Sequence, residues 1–139
     1  MRKVISWDKY YMKIASVVSE RSKDPNTQVG AVLVSKDNHI IGTGYNGFPP
    51  GCDESPELWE SPTKYDYVIH SEMNTIIHSL GDTKGSTLYT TLFPCNDCAK
   101  AIIAAGISEV FYLSGDDRFP KTKELFNNSK ISFVKIDID

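Results

Sequence analysis

Long apolar runs are missing from this 139-residue sequence: nothing in it approaches the ~18 consecutive apolar residues of a membrane-spanning helix. Missing too is an apolar stretch of signal-peptide length behind the basic start, because Asp8 and Lys9 interrupt it; no secretory signal is expected, and the protein is expected to be cytoplasmic. Cysteine is scarce. Cys52, Cys95 and Cys98 cannot all pair with one another, and two of them stand in a C-x-x-C spacing that in a reducing compartment points to metal or redox chemistry. A dominant charge sign is lacking as well. The 15 basic and 18 acidic residues sum to −3, which argues against a nucleic-acid-binding surface over the whole protein and confines any phosphate site to a local pocket. What is present, 40% apolar and 24% charged residues, describes one ordinary globular domain over 1–139, with no repeat, low-complexity tract or linker to divide it. A chain of this length buries about two-thirds of its unfolded surface, enough for a core without disulfides.

The hydrophobic pattern predicts alternating elements. In 6–22, Trp7, Tyr10, Tyr11, Ile14 and Val18 form a helical stripe with Ser6 as N-cap. After the turn-forming Asp24-Pro25-Asn26, QVGAVLVS and HIIGTGY flank Lys36-Asp37-Asn38 and read as a β-hairpin. Residues 46–64 hold four of the seven prolines and read as a loop too long for a mere connection. Met73, Ile76, Ile77 and Leu80 predict a second helix ending before Gly81. STLYTTLF reads as a strand and CNDCAKAIIAAG as a third helix closed by Gly106. EVFYL at 109–113 and ISFVKID at 131–137 add two strands, with a short helix near 120–127. The fold class is therefore α/β: a five-stranded mixed sheet with helices on both faces.

Two short motifs carry chemistry. His70-Ser71-Glu72 opens the second helix, and Pro94-Cys95-Asn96-Asp97-Cys98 opens the third, where proline suits the first turn. Helix starts are positive dipole ends, which favour thiolate over thiol and so a cation with sulfur ligands. Cysteines three apart share one helical face. Three ligands of N and S type leave one tetrahedral position open, as in a catalytic zinc, where water becomes hydroxide near neutrality. Glu72 then serves as a proton carrier in the hydrolytic deamination of an amidine-like base. Blander readings compete. A lone C-x-x-C is equally a redox pair or half of a structural zinc site, and a lone H-x-E means almost nothing. Pro94 and the strand between the two motifs weaken the redox reading. A structural zinc needs a fourth ligand, for which Cys52, His39 and His78 are candidates, although these read more simply as a free loop thiol, a turn residue and a helix-surface histidine.

The pairing of H-x-E with P-C-x-x-C is the zinc deaminase signature. Together with RSKDPNTQVGAVLV at 21–34, GYNGFPPGC at 44–52, KYDYVIHSEMNTI at 64–76 and LFPCNDCAKAIIAAGI at 92–107, it makes residues 5–115 closely resemble the deoxycytidylate (dCMP) deaminases of the zinc-dependent cytidine deaminase superfamily. That resemblance implies a three-layer α/β/α cytidine-deaminase-like fold and hydrolysis of dCMP to dUMP and ammonia, supplying dUMP for dTTP synthesis. It also implies a homohexamer activated by dCTP and inhibited by dTTP. Carried over by motif, His70, Cys95 and Cys98 hold one Zn2+ per subunit and Glu72 moves protons. Lys23, Asn26 and Thr27 contact substrate at the mouth. Tyr45, Asn46, Gly47, Phe48, Gly51 and Asp53 form the effector loop, with Mg2+ as an optional companion of a triphosphate effector.

Three departures stand out. Ser71 replaces an alanine common among the relatives, and Asp24 stands where some carry a cysteine ligand of a second zinc, so a single metal is expected. Beyond EVFYL, where relatives often place a tyrosine near the nucleotide, the chain has SGDDRF, leaving Phe119 as a substitute ring or Arg118 as a phosphate contact. Deamination of dCTP as well as dCMP is the alternative within the same chemistry. A catalytically silent nucleotide-binding subunit is the alternative outside it.

Overall fold

The computed structural model describes residues 1–139. It opens with helix α1 (Trp7–Ser19), where the Ser6 side chain accepts from the Lys9 amide at 3.1 Å, the N-cap expected. Strands β1 (Gly30–Val34) and β2 (Ile40–Tyr45) pair antiparallel around a turn containing Asn38 at φ 66°, a conformation asparagine tolerates. Two short 3-10 turns, Pro56–Trp59 and Thr63–Asp66, give the long proline-rich connection some structure of its own. Helix α2 (Ser71–Ile77), strand β3 (Thr87–Leu92), helix α3 (Asn96–Ala104), strand β4 (Glu109–Ser114), helix α4 (Pro120–Asn128) and strand β5 (Ser132–Lys135) follow.

The strands form one sheet in the order β2-β1-β3-β4-β5. β1 is antiparallel to both its neighbours, while β3, β4 and β5 run parallel, so the sheet is mixed as expected. One face carries α1 over an aromatic cluster of Tyr11, Tyr89 and Phe111. On the other face lies the larger core, in which Leu33, Leu88 and Val110 of the sheet meet Ile102 of α3 and Phe126 of α4. No helix is long and apolar enough to cross a membrane.

Two helical stripes differ from the sequence reading. In α1 the buried residues are Tyr11, Met12 and Ala15, while Trp7 and Tyr10 are exposed. Helix α2 stops at Ile77 rather than Leu80, and it buries Ser71, Glu72 and Thr75, leaving Ile77 and Leu80 outside. The cause is the same on both faces: the helices approach the hairpin over glycines. A Cβ on Gly30 would lie 2.2 Å from the Ala15 carbonyl oxygen, and one on Gly44 would lie 2.5 Å from Thr75 Oγ1 and 2.7 Å from the Ser71 carbonyl oxygen. Contact that close admits only small or polar neighbours, so apolar size is a poor guide to which helix face turns inward.

Candidate active site

The sheet order brings the two motifs together. α2 leads into β3, and β3 into α3, so the helices start side by side on the same face. His70 is the N-cap of α2 and Cys95 that of α3, with Cys98 in the first turn that follows. His70 Nδ1 lies 3.4 Å from the sulfur of Cys95 and 3.4 Å from that of Cys98, and the three donor atoms all lie within 4.8 Å of one another. A tetrahedral zinc with Zn–N and Zn–S bonds of about 2.05 and 2.3 Å separates such donors by about 3.6 Å. The donor set therefore fits that ion in both chemistry and spacing.

Protonation points the same way. The Cys95 thiol is brought down to about 4, first by the Cys98 thiol beside it and then, against the cost of burial, by His70. The His70 imidazole is raised, chiefly by its bond to Cys95. Cys98 goes the other way, its thiol held protonated by the neighbouring Cys95 and by burial. Left to themselves the donors settle on one thiolate; a divalent cation is what would ionise both sulfurs.

Glu72 sits one residue inside α2 and is only 4% exposed. Its Oε1 accepts from the Ser71 hydroxyl, and Thr90 Oγ1 of β3 stands 3.4 Å away. Burial pushes the carboxyl above the usual carboxylate range, and the partners around it reverse this only in part. The result is a carboxyl able to hold a proton where an ordinary surface glutamate would not.

His70, Ser71, Glu72 and Cys95 form one wall, taken as the floor, of a cavity of about 160 Å³, far more than one water needs, with Ser71 and Glu72 buried and His70 itself exposed. Its mouth comes from elsewhere in the chain. Thr27 lines it, as expected; Lys23 instead pairs with Glu54 at the surface, and the Asn26 side chain is exposed outside the lining. Asp24 accepts from the amides of Asn26 at 2.8 Å and Thr27 at 3.1 Å, and both its oxygens lie 3.1 Å from Lys64 Nζ. The two side chains are each 6% exposed. Burial alone would raise Asp24, but the two amides and the Lys64 ammonium together hold its carboxyl below the usual range. Its carboxylate is thus committed to a lysine.

The residues assigned to an effector loop separate. Tyr45, Gly51 and Asp53 are exposed. Phe48 is buried against Trp59, with ring centroids 4.3 Å apart, and the Trp59 indole N–H has no acceptor. Gly47 bridges to Ile69, next to the zinc-type histidine. Asn46 lines the cavity itself, its amide donating to Thr27 O at 2.9 Å and accepting from the Val29 amide at 2.8 Å. Sequence reasoning missed Lys64 altogether. Its only signal was a position inside the KYDYVIHSE block, which names no partner. Arg118 and Phe119 both line the mouth, so the two candidates for one role stand there together.

A mixed five-stranded sheet with an imidazole, two thiols and a protonatable carboxyl gathered at adjacent helix starts defines a class, the metal-dependent deaminases. Residues 5–114 match the model of the cytidine and deoxycytidylate deaminase zinc-binding region. The deoxycytidylate deaminase of Homo sapiens is 43% identical over 142 aligned residues, covering 94% of this chain and 80% of the human protein. ComE operon protein 2 of Bacillus subtilis is 34% identical, covering 97% of this chain and 74% of its own. Among solved structures, the dCMP deaminase of cyanophage S-TIM5 in complex with dCMP and dUMP superposes with a TM-score of 0.82 at 27% identity, over 97% of this chain and 100% of the phage chain. The chain belongs to the cytidine and deoxycytidylate deaminase family.

Proposed function

We propose that the protein hydrolyses the exocyclic amine of dCMP, releasing dUMP and ammonia. The observation that carries the reading is Glu72, a buried carboxyl at the floor of the cavity beside the His70, Cys95 and Cys98 donors. Likeness to the human enzyme and to the phage structure holding dCMP and dUMP supports the choice of substrate. His70, Cys95 and Cys98 would hold the zinc, which when bound would supply the Lewis acidity that makes water a nucleophile at neutral pH.

The chain's own residues do the rest. Glu72 takes a proton from the attacking water and delivers it to the ring nitrogen of the pyrimidine. It then carries a proton to the amine nitrogen as the carbon–nitrogen bond breaks, so ammonia leaves neutral. Its raised proton affinity suits both directions, since an acid that must also act as a base works best near the operating pH. Ser71 and Thr90 orient the carboxyl from two sides. Thr27, at the mouth, is offered to the sugar, with Lys23 and Asn26 just outside it.

Regulation belongs to the same reading. The 44–53 segment, through Tyr45, Gly47, Phe48, Gly51 and Asp53, takes a nucleoside triphosphate, dCTP to activate and dTTP to inhibit, with Mg2+ on its phosphates and six copies of the chain in the assembly. The unsatisfied Trp59 N–H against Phe48 supports a ligand or a neighbouring copy at this loop. The test is ammonia release from dCMP by the zinc-loaded protein, repeated after chelation and with dCTP as substrate. Turnover of dCMP that disappears on chelation and returns with zinc is expected. Absence of turnover with zinc bound would remove the proposal, and an equal rate on dCTP would widen the substrate.

A further inference from the structure

The apolar stripe that predicts α2, Met73, Ile76, Ile77 and Leu80, only grazes the core. Ile76 packs against it half-buried and Met73 is half-buried too, but Ile77 is 59% exposed and Leu80 82%. Residues three and four apart share a helix face, so Met73, Ile77 and Leu80 form one strip along the outside of α2. The strip runs on to the edge strand. The Leu80 amide donates to the Ile41 carbonyl at 2.7 Å, and the Asn74 side chain donates to the carbonyl of Tyr45 at 2.9 Å, Tyr45 itself being 37% exposed. Single apolar side chains on a surface are ordinary, whereas a contiguous strip of them marks a contact.

Charge says what covers it. From Met73 to Gly81 there is no Asp, Glu, Lys or Arg, in a chain that is 24% charged, and His78 is the one ionisable group. The other three helices all present charge: exposed Lys13 on α1, the Asp97–Lys100 pair on α3 and the Lys121–Glu124 pair on α4. A charged face that meets its own two-fold copy sets like charge against like, which opposes association. A charge-free face meets its copy without that penalty, and the buried centre of homodimer contacts is apolar and depleted of charge. We propose that the outer face of α2 and the adjoining edge of β2 form a two-fold contact between copies of this chain, each α2 lying antiparallel to its symmetry mate, the direction in which helix dipoles attract. Ile77, midway between Met73 and Leu80, then stands at the axis. A stable contact takes about 800 Å² from each partner, more than two turns of helix present, so Ile41 and Tyr45 belong to it as well. The contact deepens the six-copy assembly proposed above and rests on that reading for the number of copies alone.

The experiment is sedimentation velocity over a range of concentrations on zinc-loaded full-length protein: wild type, Ile77→Glu, Ile77→Lys, and the two variants mixed in equal amounts. Wild type is expected to associate. Each variant is expected to weaken the contact by about 10²-fold or more, halving at least the mass of the largest species, because two like charges meet at the axis. The mixture is expected to regain the wild-type mass, since glutamate then faces lysine. Wild type that stays monomeric overturns the proposal, as does a variant that keeps the wild-type mass. Variants that dissociate and are not restored by mixing place the strip against some other surface, and overturn the two-fold contact. Unfolding midpoints near wild type are expected at so exposed a position; if Ile77→Glu fails to fold, Leu80→Glu and Leu80→Lys repeat the test one turn away. Turnover of dCMP, measured alongside, keeps the two readings apart. A monomeric wild type that releases ammonia refutes the contact and upholds the deaminase, while an inactive protein that associates through α2 does the reverse.

Discussion

The floor of the cavity hangs on regular structure, whereas its mouth is irregular backbone fastened by polar side chains. His70, Glu72, Cys95 and Cys98 come from the first turns of two helices that are consecutive around β3. Asp24 comes from the connection between α1 and β1, and Asn46 and Lys64 from the long connection between β2 and α2, the two joined by a buried ion pair and an asparagine amide. The floor can therefore lose a functional group and keep its shape. The mouth cannot, because its polar groups are buried and are themselves what ties the loops together. A buried charge deprived of its partner costs several kcal/mol, against about 1 kcal/mol for an ordinary hydrogen bond.

Substitutions can test that contrast. The largest effect is expected at the floor: Glu72→Gln should lower kcat for dCMP about 10²- to 10⁴-fold while zinc content, read by atomic absorption, and the denaturation midpoint stay near wild type. Loss of zinc together with activity would show that Glu72 supports the ligands rather than the proton transfer. At the mouth the order reverses. Lys64→Met should cost about 3–5 kcal/mol in denaturant unfolding, and adding Asp24→Leu should recover much of it, since the double change leaves no orphaned charge. If the double variant were no better than the single, the ion pair would not be what fastens the mouth.

A third substitution asks whether floor and scaffold are separable. Gly44→Ala puts a methyl group against Thr75 and the Ser71 carbonyl, so α2 has to back away. The expected cost is about 1–3 kcal/mol, with a fall in kcat because His70 and Glu72 travel with the helix. The smallest effect is in acid. The Asp24 carboxyl is held below its unfolded value, so its contribution to stability is complete above about pH 3.9 and fades as pH falls through the lowered folded value. Asp24→Asn should flatten the wild-type stability profile in that range, measured as unfolding midpoint against pH.

The same contrast governs what the amino-acid sequence disclosed. The floor was legible because its spacings are local: Cys95 and Cys98 are three apart, Glu72 is two beyond His70, and Pro94 marks a helix start. The strands and their order of occurrence were legible for a similar reason, since β-branched runs between turn residues need no distant partner. The mouth was not. Asp24 and Lys64 are 40 positions apart, and no periodicity links them. Asn46 read as part of a glycine-containing effector segment, yet the end of β2 carries it to the cavity wall, where its amide closes on Thr27 and Val29. The helix faces misled in their own way. Leu80 and Ile77 looked like core and lie outside, because where two backbones nearly touch it is Ser71 and Thr75 that fit between them.

Gly30 and Gly44 belong to adjacent rungs of the β1–β2 hairpin and face opposite sides of the sheet, one under α1 and the other under α2. The sandwich is consequently pinched to its minimum thickness at the end that carries the chemistry. An engineer seeking to enlarge the active site would find slack at the loops around the opening and none beneath it: widening the waist by a single carbon on either side pushes apart layers whose separation sets where the histidine and the glutamate stand.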